Sequence, residues 1–202
     1  MNTKQRAQPG QIRTYTGRLV SPLDLKVEDI DLEDIAHALS NQCRFTGHSR
    51  EFYSVSQHSV SVAAYLWDKH QDTELALAGL FHDASEAYLL DLARPIKRLP
   101  ELHMFTRIEL EIQATIEERF GFRAGAFSDL QVVWADGVLL QTELRDLMSY
   151  DPDPRQHVLD CTIYPIGPRL AKSSWFSMLD FLTGHDRTRL KPGRAAIEDI
   201  AV

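Results

Sequence analysis

The chain has 202 residues, of which 44% are hydrophobic and 25% are charged, a balance that is ordinary for one soluble globular domain. A net charge of −7 and a pI near 5.6 argue against an extended nucleic-acid partner, which needs a basic surface. We expect no membrane partner, because no apolar run is long enough to span a bilayer and the polar start lacks a signal-peptide apolar region. The two cysteines, Cys43 and Cys161, do not form a Cys-x-x-Cys pair, so we expect reduced thiols in a cytoplasmic protein.

Taken in chain order, the hydrophobic pattern predicts an all-α protein with one compact multi-helix domain. Residues 1–22 read as an extended or partly ordered N-terminal arm, residues 23–184 as the domain, and residues 185–202 as a polar C-terminal tail. Apolar residues at helical spacing predict helices at about 32–39, 54–69, 73–89, 105–120, 128–150 and 168–184. Residues 155–167 are predicted to be irregular, with a short extended piece at 162–164.

The second predicted helix carries a histidine near its apolar face. Ser54 and Gln57 fit a capping box, so the helix is expected to start there and to hold His58 in its first turns. Val55 and Val62, seven residues apart, mark the apolar face close to which His58 lies.

The third predicted helix contains the most informative segment, Leu80–Tyr88. His82 and Asp83 interrupt an otherwise apolar run there, and Glu86 follows three residues later. An imidazole and a carboxylate rarely enter a buried helix unpaired, because burying a charge without a partner is costly. A core histidine that is hydrogen-bonded to its neighbour is one explanation. A metal ion that converts both side chains into ligands is the other.

A third polar group interrupts a later apolar helix. Ser128 and Gln131 form a second capping-box candidate, and the helix that follows carries Asp136 among valines and leucines. A carboxylate in that position also calls for a partner. Three helices therefore offer His58, the His82–Asp83 pair and Asp136 to one interior, and two imidazoles with two carboxylates suit a divalent first-row metal ion.

This order of His, His-Asp and a distant Asp resembles the HD-domain metal phosphohydrolases. The chain is most similar to the small HD nucleotide phosphohydrolases, which include bacterial 5′-deoxyribonucleotidases and phage-type dATP triphosphohydrolases. The resemblance covers most of the chain, and its five matching blocks occur in the expected order: Asp34–Leu39, Arg44–Phe45, Tyr53–Ser59, Phe81–Tyr88 and Asp91–Lys97.

The resemblance implies an HD fold and a metal site with roles for its neighbours. The metal is expected to be Mn²⁺, Co²⁺, Fe²⁺, Zn²⁺ or Ni²⁺, with Mg²⁺ at a second site left open. Glu86 and Asp91 are expected to act in catalysis, by assisting the attacking water and proton transfer. The alternatives are an exposed helix charge for Glu86 and a helix-end turn residue for Asp91.

Four residues are candidates for substrate binding. The resemblance places Arg44 on the phosphate, because a guanidinium fits the fork of phosphate oxygens. Phe45 could stack on the base, where relatives often carry tryptophan, and His48 could line the pocket mouth. Lys97 would suit a second or third phosphate, and a solvated loop lysine is the alternative.

The expected function is hydrolysis of nucleotide phosphates, with a small-molecule nucleotide as the partner. Both a deoxyribonucleoside 5′-monophosphatase and a dNTP triphosphohydrolase fit the sequence, and a homo-oligomer stays open. A helical binding module with a structural metal site is the alternative from another class, and intact Glu86 and Asp91 argue against it. A second adjacent pair, His185–Asp186, lies past the last predicted helix and is interpreted as solvated surface.

Overall fold

The computed structural model describes residues 6–148, 150–151 and 153–190, and these residues form a mostly helical domain. The seven α-helices are α1 (Leu32–Asn41), α2 (Val55–His70), α3 (Thr73–Phe81), α4 (Arg94–Lys97), α5 (His103–Phe120), α6 (Leu130–Leu147) and α7 (Pro168–Thr183). The all-α prediction is therefore confirmed. No helix in the described part of the chain is both long enough and apolar enough to cross a bilayer.

Helices α2 and α3 form a hairpin at the centre of the domain. Gln71 and Asp72 alone connect them, so the two helices run antiparallel, and α2 also packs against α1, α6 and α7. The start of α2 consequently lies beside the end of α3. This arrangement brings together the two polar positions, His58 and His82, that the sequence singled out.

The hairpin packs tightly because of one glycine. A Cβ atom added at Gly79 of α3 would lie 2.5 Å from Leu66 Cδ1 and 3.2 Å from Val62 Cγ1, both on α2. Aromatic rings fill the space beyond, where Phe81 contacts Trp175 of α7 at 5.1 Å between ring centroids. Both rings are fully buried, so this aromatic contact packs the end of α3 closely against α7.

Local sequence signals set several of the helix ends. Ser54 accepts a hydrogen bond from the Gln57 backbone N–H at 3.1 Å and so caps α2, as predicted. Gly121 and Gly184 follow α5 and α7 in the left-handed conformation, with φ of 74° and 62°, as expected of helix-ending glycines. The cap of α6 is Asp129, which accepts from the Gln131 N–H; the prediction that Ser128 caps it was wrong.

Three further boundaries differ from the sequence prediction. The helix predicted for 73–89 ends at Phe81 and is followed by a separate 3₁₀ turn at Ala84–Ala87. Helix α6 ends at Leu147 instead of near 150, and residues 162–164 form no strand.

The N-terminal arm is folded against the domain over its described part. A short antiparallel hairpin pairs β1 (Ile12–Arg13) with β2 (Leu19–Val20), and Val20 enters the core. Thr16 then donates from its N–H and its hydroxyl to the carboxylate of Asp34 on α1, at 2.7 and 2.9 Å. Residues 1–5 of the arm and 191–202 of the tail lie outside the described residues.

Candidate metal centre

His58 lies in the first turn of α2, where it is fully buried and held from one side. Its Nδ1 lies 2.6 Å from Oε1 of Glu143, a carboxylate on α6 that can only accept while ionised. The Nδ1 atom must therefore carry the hydrogen. The other ring nitrogen, Nε2, lies 3.7 Å from Asp83 Oδ2 and 3.3 Å from Asp136 Oδ1 and has no hydrogen-bond partner.

His82 follows α3 directly and is fixed in the same way. Its Nδ1 lies 2.7 Å from the carbonyl oxygen of Gly79, and since a carbonyl only accepts, Nδ1 must donate. The lone pair is therefore on Nε2, which is buried, has no hydrogen-bond partner and lies 3.2 Å from Asp83 Oδ2. This side-chain bond to the preceding turn also explains why α3 stops at Phe81, where the prediction continued the helix.

The two imidazoles and Asp83 form a group that could hold a metal ion. One ligand atom from each of His58, His82 and Asp83 lies within 4.8 Å of the other two, and no other such group exists among the described residues. Two buried ring nitrogens without hydrogen-bond partners are costly in an apolar interior, and a divalent cation would satisfy both of them. Imidazole and carboxylate are donors that first-row divalent ions accept.

Asp136 lies at the edge of this group. Its Oδ1 is the atom near His58, while its Oδ2 is bound to the guanidinium of Arg94 on α4. The structure therefore places Asp136, the predicted fourth ligand, next to the His58 imidazole. Asp136 lies outside the three-residue group and is paired with the Arg94 guanidinium.

Glu143 is the functional residue that sequence reasoning missed. It is fully buried, and its two oxygens accept from His58 Nδ1, from the Tyr53 hydroxyl at 3.0 Å and from Arg44 Nε at 3.1 Å. A carboxylate behind a ligating histidine fixes the tautomer and the orientation of the ring. A signal existed: Glu143 lies seven residues after Asp136, so both belong to one face of α6.

The charges in the site favour ionised acids beside a protonated imidazole when no metal is present. Burial and Arg44 lower the pKa of His58, but Glu143 and Asp136 outweigh them and raise it to about 9. Burial would raise the pKa of Asp83, yet His82, His58 and Arg44 bring it well below its ordinary value. A proton and a metal ion would therefore compete for Nε2 of His58.

Glu86 lies on the 3₁₀ turn beside this group, with its backbone N–H donating to the Asp83 carbonyl at 3.0 Å. Its side chain is buried, which rejects the alternative of an exposed helix charge. Burial, followed by the charges of Asp83 and Asp91, raises its pKa well above the ordinary value of 4.5. Oε2 of Glu86 is a buried atom without a hydrogen-bond partner.

Asp91 is tied to the same turn through one side chain of the α1 C-terminus. The Gln42 amide donates from Nε2 to the Glu86 carbonyl at 2.9 Å and accepts the Asp91 N–H on Oε1 at 3.0 Å. Burial raises the pKa of Asp91, and Asp83 adds to the rise. The Gln42 side chain therefore links the backbones of the two predicted catalytic residues, Glu86 and Asp91.

The predicted substrate residues differ in their distance from the centre. Arg44 is buried, and its Nη1 lies 3.5 Å from Asp83 Oδ2, so it belongs to the site. Lys97 contacts Glu109 at 2.6 Å and lies 3.8 Å from Glu86 Oε1, which rejects the solvated-loop alternative. Phe45 is half-buried with the Arg44 guanidinium 5.5 Å from its ring centroid, and His48 is exposed.

The turn after Arg44 has an unusual backbone. Phe45, Thr46 and Gly47 have φ values of 56°, 54° and 80°, so three successive residues occupy the left-handed region. For a bulky side chain such as phenylalanine this region is strained, and strain of this kind is common at ligand-binding sites. The second His-Asp pair, His185–Asp186, is exposed, as predicted.

Comparison with known proteins identifies one relative that matches most of this chain and one that matches about half of it. None of the protein-family models compared with the chain matches it. The chain is 35% identical over 174 residues to a protein of Escherichia coli K12 described as uncharacterized protein YfdR, an alignment that covers 86% of this chain and 88% of the relative. It is 32% identical over 116 residues to uncharacterized protein RCAP_rcc00048 of Rhodobacter capsulatus, with 55% of this chain and 59% of the relative covered.

Proposed function

This chain belongs to the family that includes YfdR of Escherichia coli, and we propose that it is an HD-domain hydrolase that uses a divalent metal ion to cleave nucleotide phosphates. The observation that carries the proposal is the pair of buried Nε2 atoms on His58 and His82. Neither atom has a hydrogen-bond partner, and both face Asp83. These three residues would hold the ion, with Asp136 as the neighbouring carboxylate.

The residues around the group favour catalysis over a structural role for the metal. A metal that only stabilises the fold needs satisfied ligands and no acid or base nearby. Glu86 is buried beside Asp83 with a raised pKa and an unpartnered oxygen, which is the environment of a general acid or base. Asp91 shares that environment.

Each residue has a defined task in this proposal. A divalent ion, when bound, would supply Lewis-acid chemistry that activates water and a phosphate ester. Glu86 would accept a proton from water on the attacking side, and Asp91 would assist proton transfer. Arg44, whose guanidinium lies against Asp83, would add fixed positive charge for the phosphate, and the buried Glu143 would keep that guanidinium and the His58 ring in place.

The test measures release of phosphate and of triphosphate from panels of dNMPs and dNTPs with Mn²⁺, Co²⁺, Zn²⁺ and Mg²⁺. The wild-type protein should act on at least one panel with a first-row metal, while His82→Ala should lose both bound metal and activity. His185→Ala is the matched control, because it removes an exposed histidine from the other His-Asp pair and should change neither property. Wild-type protein that binds metal but hydrolyses neither panel would instead favour the binding-module alternative.

A further inference from the structure

Among the described residues, each basic side chain that contacts the site is paired with a carboxylate. Arg44 is held by Glu143 and Asp83, Arg94 by Asp136, and Lys97 by Glu109. Opposite charges at these distances largely cancel each other's field at a neighbouring ligand. Their pairing therefore limits how much additional negative charge the site can accept.

The ion pair between Lys97 and Glu109 lies beside the candidate site. Lys97 is the last residue of α4, and its ammonium group lies 3.8 Å from Glu86 Oε1, beside the predicted catalytic carboxylate. Its stronger partner is Glu109 on α5, at 2.6 Å, whose residue is only 7% exposed. A buried carboxylate at that distance holds the ammonium group in place and neutralises it.

We propose that Glu109 is a specificity-determining residue: by neutralising Lys97 it makes the site unfavourable for the second and third phosphates of a nucleotide. This inference rests on the proposed function and narrows it to nucleoside monophosphates. A phosphate chain carries more negative charge than a single phosphate, so it needs additional cations that are not already paired. Lys97, the residue placed to meet such a chain, is already bound to Glu109.

Glu109→Gln tests the inference by releasing Lys97 while keeping a side chain of similar shape. The wild-type protein should prefer dNMPs to the corresponding dNTPs, and the variant should raise the dNTP to dNMP ratio of kcat/KM at least about fivefold, because a freed ammonium can make a charge-assisted hydrogen bond. Adding Lys97→Met to Glu109→Gln should return the ratio to the wild-type value. Glu111→Gln is the matched control, since it removes an exposed carboxylate of the same helix that pairs with Arg107 outside the site.

A binding measurement gives a readout that does not depend on turnover. In calorimetric titrations of metal-loaded protein, wild type should bind tripolyphosphate no more tightly than inorganic phosphate, and Glu109→Gln should gain at least about fivefold in tripolyphosphate affinity alone. A wild-type preference for dNTPs, or an unchanged ratio in a folded Glu109→Gln variant, would overturn the inference. If Glu109→Gln does not fold, the wild-type preference between dNMPs and dNTPs and the wild-type titration decide whether the inference holds.

The two proposals fail in different ways. If the wild-type protein hydrolyses neither panel, the proposed function fails, and the titration still decides whether Glu109 restricts polyphosphate binding. If it hydrolyses dNTPs in preference to dNMPs, the proposed function stands and the role of Glu109 is wrong.

Discussion

Replacing Glu143 by glutamine should weaken metal binding at the candidate centre without changing any of the proposed ligands. The carboxylate accepts from three donors, which are His58 Nδ1, the Tyr53 hydroxyl and Arg44 Nε. A glutamine offers one acceptor oxygen and one NH₂ group, so at least one of the three donors must face a donor. If the NH₂ faces His58, the ring must accept on Nδ1 and carry its hydrogen on Nε2, the atom that would bind the metal.

The magnitude follows from the role of Glu143 as the partner behind a ligand. Loss of such a partner typically lowers metal affinity by about 10- to 100-fold, which is about 1.4–2.8 kcal/mol. The fold should also lose about 1–3 kcal/mol of unfolding free energy, because a buried donor is left without an acceptor.

The assay combines metal content, measured by mass spectrometry, with chelator competition and urea unfolding. Glu111→Gln, an exposed charge removal on α5, is the control and should leave metal affinity and stability near wild type. If Glu143→Gln binds metal as tightly as wild type while remaining folded, the tautomer argument is wrong.

Three further predictions concern charge in the same site. Because the pKa of His58 is about 9 without a metal, binding below that pH must displace a proton, so metal affinity should rise roughly tenfold per pH unit near neutrality and calorimetry should record about one proton released. Burial raises the folded-state pKa of Glu86, so its contribution to stability is present below about pH 4.5 and is lost as pH rises through the folded value. Metal-free Glu86→Gln should therefore unfold at higher urea than wild type at pH 8 but not at pH 4, while the metal-loaded variant should keep its metal and lose activity by roughly 10²–10⁴-fold. Arg44→Ala should lower the unfolding free energy by about 3–5 kcal/mol, measured in urea, because it removes the guanidinium partner of the buried Glu143 carboxylate.

Each of these predictions has a result that contradicts it. Metal affinity that does not change with pH would mean that His58 is neutral in the metal-free protein. Equal stability of Glu86→Gln and wild type at pH 8 would mean that this carboxylate is solvated, and loss of its metal would make it a ligand. For Arg44→Ala the control is Arg107→Ala, an exposed member of an i,i+4 pair, and an equal effect of the two changes would remove the argument for a buried ion pair.

The sequence was most informative where a local pattern fixes a local structure. The Ser54 cap follows from a side-chain oxygen that precedes a helical apolar pattern, and it correctly placed His58 in the first turn of α2. Gly121 and Gly184 were also identified, because a left-handed residue that ends a helix favours glycine. Buried polar residues without local partners predicted that His58, His82, Asp83 and Asp136 meet, and the structure groups the first three, with Asp136 beside His58.

The sequence was least informative where a distant residue decides the outcome. Glu143 is spaced seven residues from Asp136, but it begins the segment Glu143–Asp146, in which three of four residues are charged as on a solvated helix face. Packing against α2 shows that it is buried. The pairing of Lys97 with Glu109 crosses from α4 to α5 and has no signature in the intervening residues. The end of α3 depended on a hydrogen bond from His82 back to Gly79, which competes with the helix in a way that hydrophobic periodicity cannot register.

Gly79 also has a consequence for how the metal centre could change over time. His58 is on α2 and His82 directly follows α3, and their ring centroids are 5.3 Å apart. The separation of the two helices therefore also sets the distance between the two imidazoles that would bind the metal. That separation depends on a hydrogen atom at Gly79 where any other residue would place a carbon against Leu66. Hydrocarbon contact one to two helical turns from the histidines thus sets the space that a bound ion must fit, and drift in that contact would change which cation fits while every proposed ligand stays the same.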